Sequence, residues 1–179
     1  MLFRSMSPLP ERYARPSVVL HWLMFLLFAG ALAAIEYKGT LPKGSAGRAL
    51  FTSIHMMLGQ CILLFACVRV WARWRYTAPA NIGAAWQIAS AKLVHWVLYA
   101  IMFAMPISGI LFVQAAGKDV TFLTWTLPRL VAENPDLKST LKSAHEFVGN
   151  AVYFIVGLHI AGALWHQFVQ RDNLLTRMR

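Results

Sequence analysis

Three of the six histidines, His145, His159 and His166, lie in one apolar run, Ser143 to Gln167 (SAHEFVGNAVYFIVGLHIAGALWHQ). That run is long enough to cross a bilayer, where an ionisable side chain is costly and marks a functional position. His145 and His159 are 14 residues apart. At about 100° per residue they sit about 40° apart around a helix axis and roughly 21 Å apart along it. One helix face therefore offers an imidazole near each membrane surface. A two-haem electron wire needs that arrangement, provided other helices supply a second axial histidine at each depth.

The elements that must supply them are visible as further apolar runs. Besides Ser143 to Val169 there are Val18 to Ile35, Thr52 to Trp71 and Leu93 to Val113. The chain has 179 residues, 58% hydrophobic and 13% charged, a composition unlike that of an average soluble domain. At about 20 residues per crossing, four helices and their loops use up the chain and leave no room for a soluble catalytic domain. The expectation is an all-α, single-domain four-transmembrane-helix bundle over 1–179. Its helices are placed at about 17–36, 51–72, 91–114 and 141–169.

The net charge of +10 would point to nucleic acid on a soluble protein. Here the charges flank the apolar runs, so they are read as topology signals, with no nucleic-acid partner. With both termini cytoplasmic, the inner segments hold Arg4, Arg12, Arg15, Arg69, Arg73, Arg75, Lys92, Arg171, Arg177 and Arg179. The outer loops then hold Lys38, Lys43, Arg48, Lys118, Arg129, Lys138 and Lys142, a bias of ten to seven. The first run, after Arg12, Arg15 and Pro16, resembles a signal peptide in outline. It is read as a retained helix because its apolar stretch is too long and contains His21.

In this topology His55 and His145 fall in an outer layer, and His21, His95, His159 and His166 in an inner one. His55 with His145 is the one outer pair available for a bis-histidine haem b. The inner haem takes His159, which shares a face with His145, and either His21 or His95. Gly59 and Gly149 each follow an outer histidine by four residues, leaving the next turn bare for a flat macrocycle. Arg69 is 14 residues after His55, at the inner depth, where a cation fits a haem propionate. His95, His166, Ser17 and Tyr13 are candidates for a quinone site.

Blander readings compete. A single membrane histidine is often an interhelical hydrogen-bonder, but four at two matched depths are harder to explain so. A zinc or proton site lacks acidic residues in the helix cores, and neither Cys61 nor Cys67 lies near a histidine layer. Both cysteines are read as small buried apolar residues. Pro106 and Gly109 are expected to kink the third helix, TFLTWTLP to lie on the outer membrane surface, and NPDLK to form a turn.

The segments LHWLMFLLF, IEYKGTLP, IHMMLGQ, LVHWVLYAIMFAMPISG, LKSAHEFVGNAVYFIVGLH and RDNLLTRM together resemble the bacterial cytochrome b561 family of four-helix di-haem proteins of the inner membrane. The arrangement of His21, His55, His145 and His159 is also similar to that of the cytochrome b subunits of membrane formate dehydrogenases and hydrogenases. That resemblance implies an inner haem held by helices one and four and an outer haem held by helices two and four, which selects His21 over His95.

The family resemblance further implies a superoxide oxidase, passing electrons from periplasmic superoxide, or another small periplasmic donor, to ubiquinone. Lys142 is the candidate for steering superoxide to the outer haem edge, within an anion funnel of Lys38, Arg48, Lys118 and Arg129. Two other functions remain on the sequence alone. One is a cytochrome b subunit fed by a partner dehydrogenase or hydrogenase; the other is a haem-free transporter or sensor.

Overall fold

The computed structural model describes residues 10–179. Arg4, counted above among the inner cations, lies outside them. Four long helices, α1 (Arg15–Thr40), α2 (Ala46–Arg75), α3 (Ala85–Ala115) and α4 (Pro135–Leu164), carry the chain back and forth. All four are long and apolar enough to cross a membrane. Each extends beyond its apolar run, because the polar residues flanking a span continue the helix into the headgroup region. A π-helical turn, Trp165–Gln170, and a short 3-10 turn, Leu174–Met178, close the chain.

The tail folds back on the start of the bundle. Arg177 O accepts from the Tyr13 amide at 3.2 Å, and Met178 O accepts from the Trp22 indole at 3.2 Å. Arg177 also donates to Ala80 O in the α2–α3 loop at 2.7 Å. These bonds define a termini end of the bundle; the α1–α2 and α3–α4 connections form the opposite, hairpin end.

The two hairpin-end connections are more ordered than their composition implies. The α1–α2 loop is only 41–45, because Ser45 caps α2 by accepting from the Arg48 amide at 3.2 Å. Arg48 reaches back to Lys38 O (3.0 Å) and Leu41 O (2.9 Å), satisfying carbonyls at the end of α1. NPDLK is a helix start instead of a turn. Asn134 caps the amides of Asp136 and Leu137, Pro135 takes the first helical position, and Asp136 sits in the first turn. The TFLTWTLP segment forms a small antiparallel hairpin, β1 (Thr121–Phe122) and β2 (Trp125–Thr126). Its tip is exposed, but the preceding Val120 is fully buried and Thr121 O accepts from the Gln60 side chain. The segment therefore seals the bundle as well as facing the surface.

Packing is uneven, and the unevenness positions the site. The core joins Met24, Ala31, Ile62, Ala66 and Met102 from α1, α2 and α3. Small residues let these helices approach closely; a Cβ on Gly30 would come within 3.2 Å of Leu58 Cδ1. Among the described residues of α4 only Val152 is buried. The fourth helix thus leans on α3 and stands off α1 and α2, and histidine rings occupy the interval. Helix α3 is continuous through Pro106. Cys61 is half-buried but Cys67 is exposed on the apolar exterior of α2, a correction to its reading as a core residue. In a bilayer that exposed face meets lipid, which accepts a thiol as readily as a core does.

Candidate haem site

At the hairpin end, His55 from α2 and His145 from α4 face each other with ring centres 6.3 Å apart and planes at 79°. Their hydrogen bonds define the tautomers. His55 Nδ1 lies 2.9 Å from Ala31 O of α1. A carbonyl can only accept, so Nδ1 carries the proton and Nε2 keeps a bare lone pair. His145 Nδ1 lies 2.9 Å from Ser108 Oγ, which donates its one proton to Met105 O at 2.9 Å. Ser108 must therefore accept from His145 Nδ1–H, and Nε2 of His145 is bare as well. As neutral imidazoles, both rings then present Nε2 for ligation.

These rings line a cavity of about 530 Å³ together with Gly59, Gly149 and Val120. A Cβ on Gly59 would meet nothing within 4 Å, and one on Gly149 would approach only Met105 Cε, at 3.6 Å. Both glycines form an open cradle beside their histidines. Gln60 borders the same cavity, donating through Nε2 to Met56 O (3.3 Å) and Thr121 O (3.1 Å). Its Oε1 is buried without a partner among the described residues.

The cavity mouth is charge-balanced and not a cationic funnel. Lys142 is held by Glu146 at 2.8 Å, and the Tyr153 hydroxyl donates to Glu36 at 2.7 Å. Lys38, Glu36, Lys142 and Glu146 all border the cavity. Arg129 pairs with Asp119, and Arg48 caps α1, so two of the expected funnel cations have structural partners. Lys38 and Lys142 are the cations nearest the site.

At the termini end, the His159 ring centre lies 6.0 Å from His21 and 5.2 Å from His95. The structure brings all three together from α1, α3 and α4. Arg69 of α2 joins them: its Nη2 donates to His21 Nδ1 at 3.1 Å, and its guanidinium stands 6.0 Å over the Tyr99 ring. Arg69 Nη1 is buried with no partner, and no ion pair among the described residues includes Arg69. A buried cation with an unused donor calls for an anion.

The four quinone-site candidates each have their own contacts. His95 belongs to the histidine layer. His166 is bound through Nδ1 to the Asp172 carboxylate, tying the π-helical turn to the tail. Tyr13 holds the tail through its backbone, and Ser17 is half-buried on α1. None of the hydrogen bonds or ring contacts among the described residues joins these four.

Several site residues escape a reading of the sequence. Ser108, Gly109 and the Ala31 carbonyl all lie against the hairpin-end histidines, yet a serine or glycine in an apolar helix has no distinguishing spacing. The Ala31 carbonyl belongs to the backbone and leaves no mark in the sequence at all.

A four-span bundle in which imidazoles from different helices face one another defines a membrane haem b protein. The chain belongs to the prokaryotic cytochrome b561 family, whose pattern it matches over residues 12–179. It is 33% identical over 170 residues to cytochrome b561 homolog 1 of Escherichia coli (strain K12), covering 94% of this chain and 97% of the relative. It is 32% identical over 170 residues to the probable superoxide oxidase CybB of Yersinia pestis, covering 94% and 96%. A third relative, cytochrome b561 homolog 2 of Escherichia coli (strain K12), is 27% identical over 180 residues, covering 97% and 94%. The protein is thus a multi-pass bacterial inner-membrane electron-transfer protein of a haem b-binding family.

The residues present fit haem b. A metal–imidazole bond of roughly 2 Å on each side, with ring centres roughly 1 Å further back, places two axial imidazoles about 6 Å apart. The His55–His145 and His21–His159 separations match this; His95–His159, at 5.2 Å, is shorter. The glycine cradle suits a flat ring, and the free Arg69 Nη1 suits a propionate.

Proposed function

We propose that this protein is a superoxide:ubiquinone oxidoreductase built on two haems b. His55 and His145 hold the haem at the hairpin end, and His21 and His159 hold the one at the termini end. Two haems bound in this way supply one-electron carriage between the membrane surfaces. The observation that carries the reading is the hairpin-end pair of imidazoles, 6.3 Å apart between ring centres, each engaged through Nδ1 so that Nε2 is left free to ligate. The matched ring separation at the termini end extends it to a second haem.

The termini end is cytoplasmic in this reading, supported by the ten-to-seven bias of cations. The overall reaction takes one electron from each of two superoxide ions, releasing dioxygen, and reduces one quinone to quinol with two protons. The likeness to a probable superoxide oxidase supports superoxide as donor. The chain's own part is positional. The paired histidines fix ligation and depth, and Gly59 and Gly149 admit the macrocycle. Arg69 neutralises a propionate. Lys38 and Lys142 are the cations a small anion would meet at the cavity mouth; Glu36 and Glu146 offset their charge, so they act at short range and not as a long-range funnel. With both histidines of a pair engaged in holding the group, no coordination position would be left open to superoxide, and its electron would enter without ligation to the metal.

The test is superoxide-driven ubiquinone reduction by the purified protein alone. Quinol formation that depends on both superoxide and protein is expected. No reduction, together with co-purification of an iron–sulfur dehydrogenase, would assign the chain instead as the membrane subunit of a larger enzyme.

A further inference from the structure

Helix α3 supplies no axial ligand in the functional reading above, yet it is shaped to one edge of His145. Ser108 Oγ stands 2.9 Å from His145 Nδ1, with its own proton committed to Met105 O. The next residue, Gly109, is where a Cβ would come within 3.3 Å of His145 Cε1 and 3.8 Å of Nδ1. A hydroxyl at one position and a bare backbone at the next thus bracket the ring. Phe112, one turn on, packs its edge against the same imidazole with ring centres 5.5 Å apart. The partner ring, His55, is oriented by a backbone carbonyl that no side-chain change removes. Ser108 is therefore the side chain through which this layer's second hydrogen bond can be altered.

We propose that Ser108 is a positioning residue that fixes the tautomer and rotation of His145 and, through them, the redox potential of the haem at the hairpin end. The inference rests on the bis-histidine reading. An imidazole that donates Nδ1–H to an acceptor is a more basic ligand through Nε2. A more basic ligand favours the oxidised iron over the reduced one, so this hydrogen bond lowers the potential. Its removal should raise it.

The experiment compares wild-type, Ser108→Ala and Ser108→Thr proteins purified in detergent. Three readouts are taken: haem content by pyridine haemochrome, potentiometric titration of the haem bands, and electron paramagnetic resonance of the ferric low-spin signals. Ser108→Ala should shift one midpoint upward, leave the other in place and alter one low-spin signal. Ser108→Thr, which retains the hydroxyl, should restore both. Loss of one haem in Ser108→Ala with full content in Ser108→Thr would support the same assignment. Two haems in every protein with unchanged midpoints and signals would overturn this inference and leave the bis-histidine reading standing. A shift in Ser108→Ala that threonine does not restore would also overturn it. A wild-type protein without haem at this layer would overturn both.

Discussion

Arg69 Nη2 donates to His21 Nδ1 at 3.1 Å, while Nη1 of the same guanidinium is buried with no partner among the described residues. A guanidinium cannot accept, so this contact puts the His21 proton on Nε2. His21 can present Nε2 to iron only when Arg69 releases Nδ1. A propionate is the anion that would draw Arg69 away and satisfy both of its terminal nitrogens. On the proposed bis-histidine reading the two layers are therefore poised differently: the hairpin-end histidines already have Nδ1 engaged by protein acceptors, and the termini-end set would be completed by the group it binds.

Arg69→Leu follows as a test. Haem affinity at the termini end should fall roughly 10–100-fold, the usual cost of losing a group that hydrogen-bonds a metal site's ligand or its bound anion. Any haem that remains there should titrate at a lower potential, because a nearby cation favours the reduced form. The haem-to-protein ratio and potentiometry read the two effects. An Arg69→Leu protein with the full haem content and unshifted midpoints would remove Arg69 from the site.

Gly59→Leu addresses the cradle. The position faces the cavity, and a Cβ there meets no neighbour within 4 Å, so the side chain can be accommodated without displacing protein. Helical content should stay at the wild-type level, since leucine is the better helix former. Haem content should drop by about half, through loss of the hairpin-end site alone. Full haem content would show that the macrocycle does not lie against this turn.

Asn134 is a stability prediction independent of haem. Its side chain accepts from the Asp136 and Leu137 amides, and its own amide donates to Ala115 O at 2.9 Å, joining the end of α3 to the start of α4. Asn134→Ala should cost about 1 kcal/mol of unfolding free energy in mixed micelles. The haem spectrum at low denaturant should be unchanged.

Much of this architecture is legible in the sequence, because lipid imposes a strong rule: about 20 apolar residues per crossing. The helix ends are not, since Tyr37 to Thr40 and Pro135 to Thr140 read as loop and turn yet continue or open helices. The 14-residue gap separates His145 and His159 into two layers along one helix face, and the structure brings the His55 and His21 rings beside them. The choice between His21 and His95 is invisible to spacing, because both rings stand beside His159. The His166–Asp172 contact is invisible for a different reason: Asp172 lies beyond the apolar run, in the basic tail, where hydropathy assigns no partner.

The most direct test of the central claim is a haem count on three proteins. Wild-type, His145→Ala and His159→Ala are purified in detergent, and their oxidised and dithionite-reduced spectra are recorded with pyridine haemochrome quantitation. Two low-spin haems b per wild-type chain are predicted. His145→Ala should keep only the termini-end haem and His159→Ala only the hairpin-end haem, told apart by their midpoints. A wild-type protein with one haem or none, or either variant retaining both, would contradict the bis-histidine pairing.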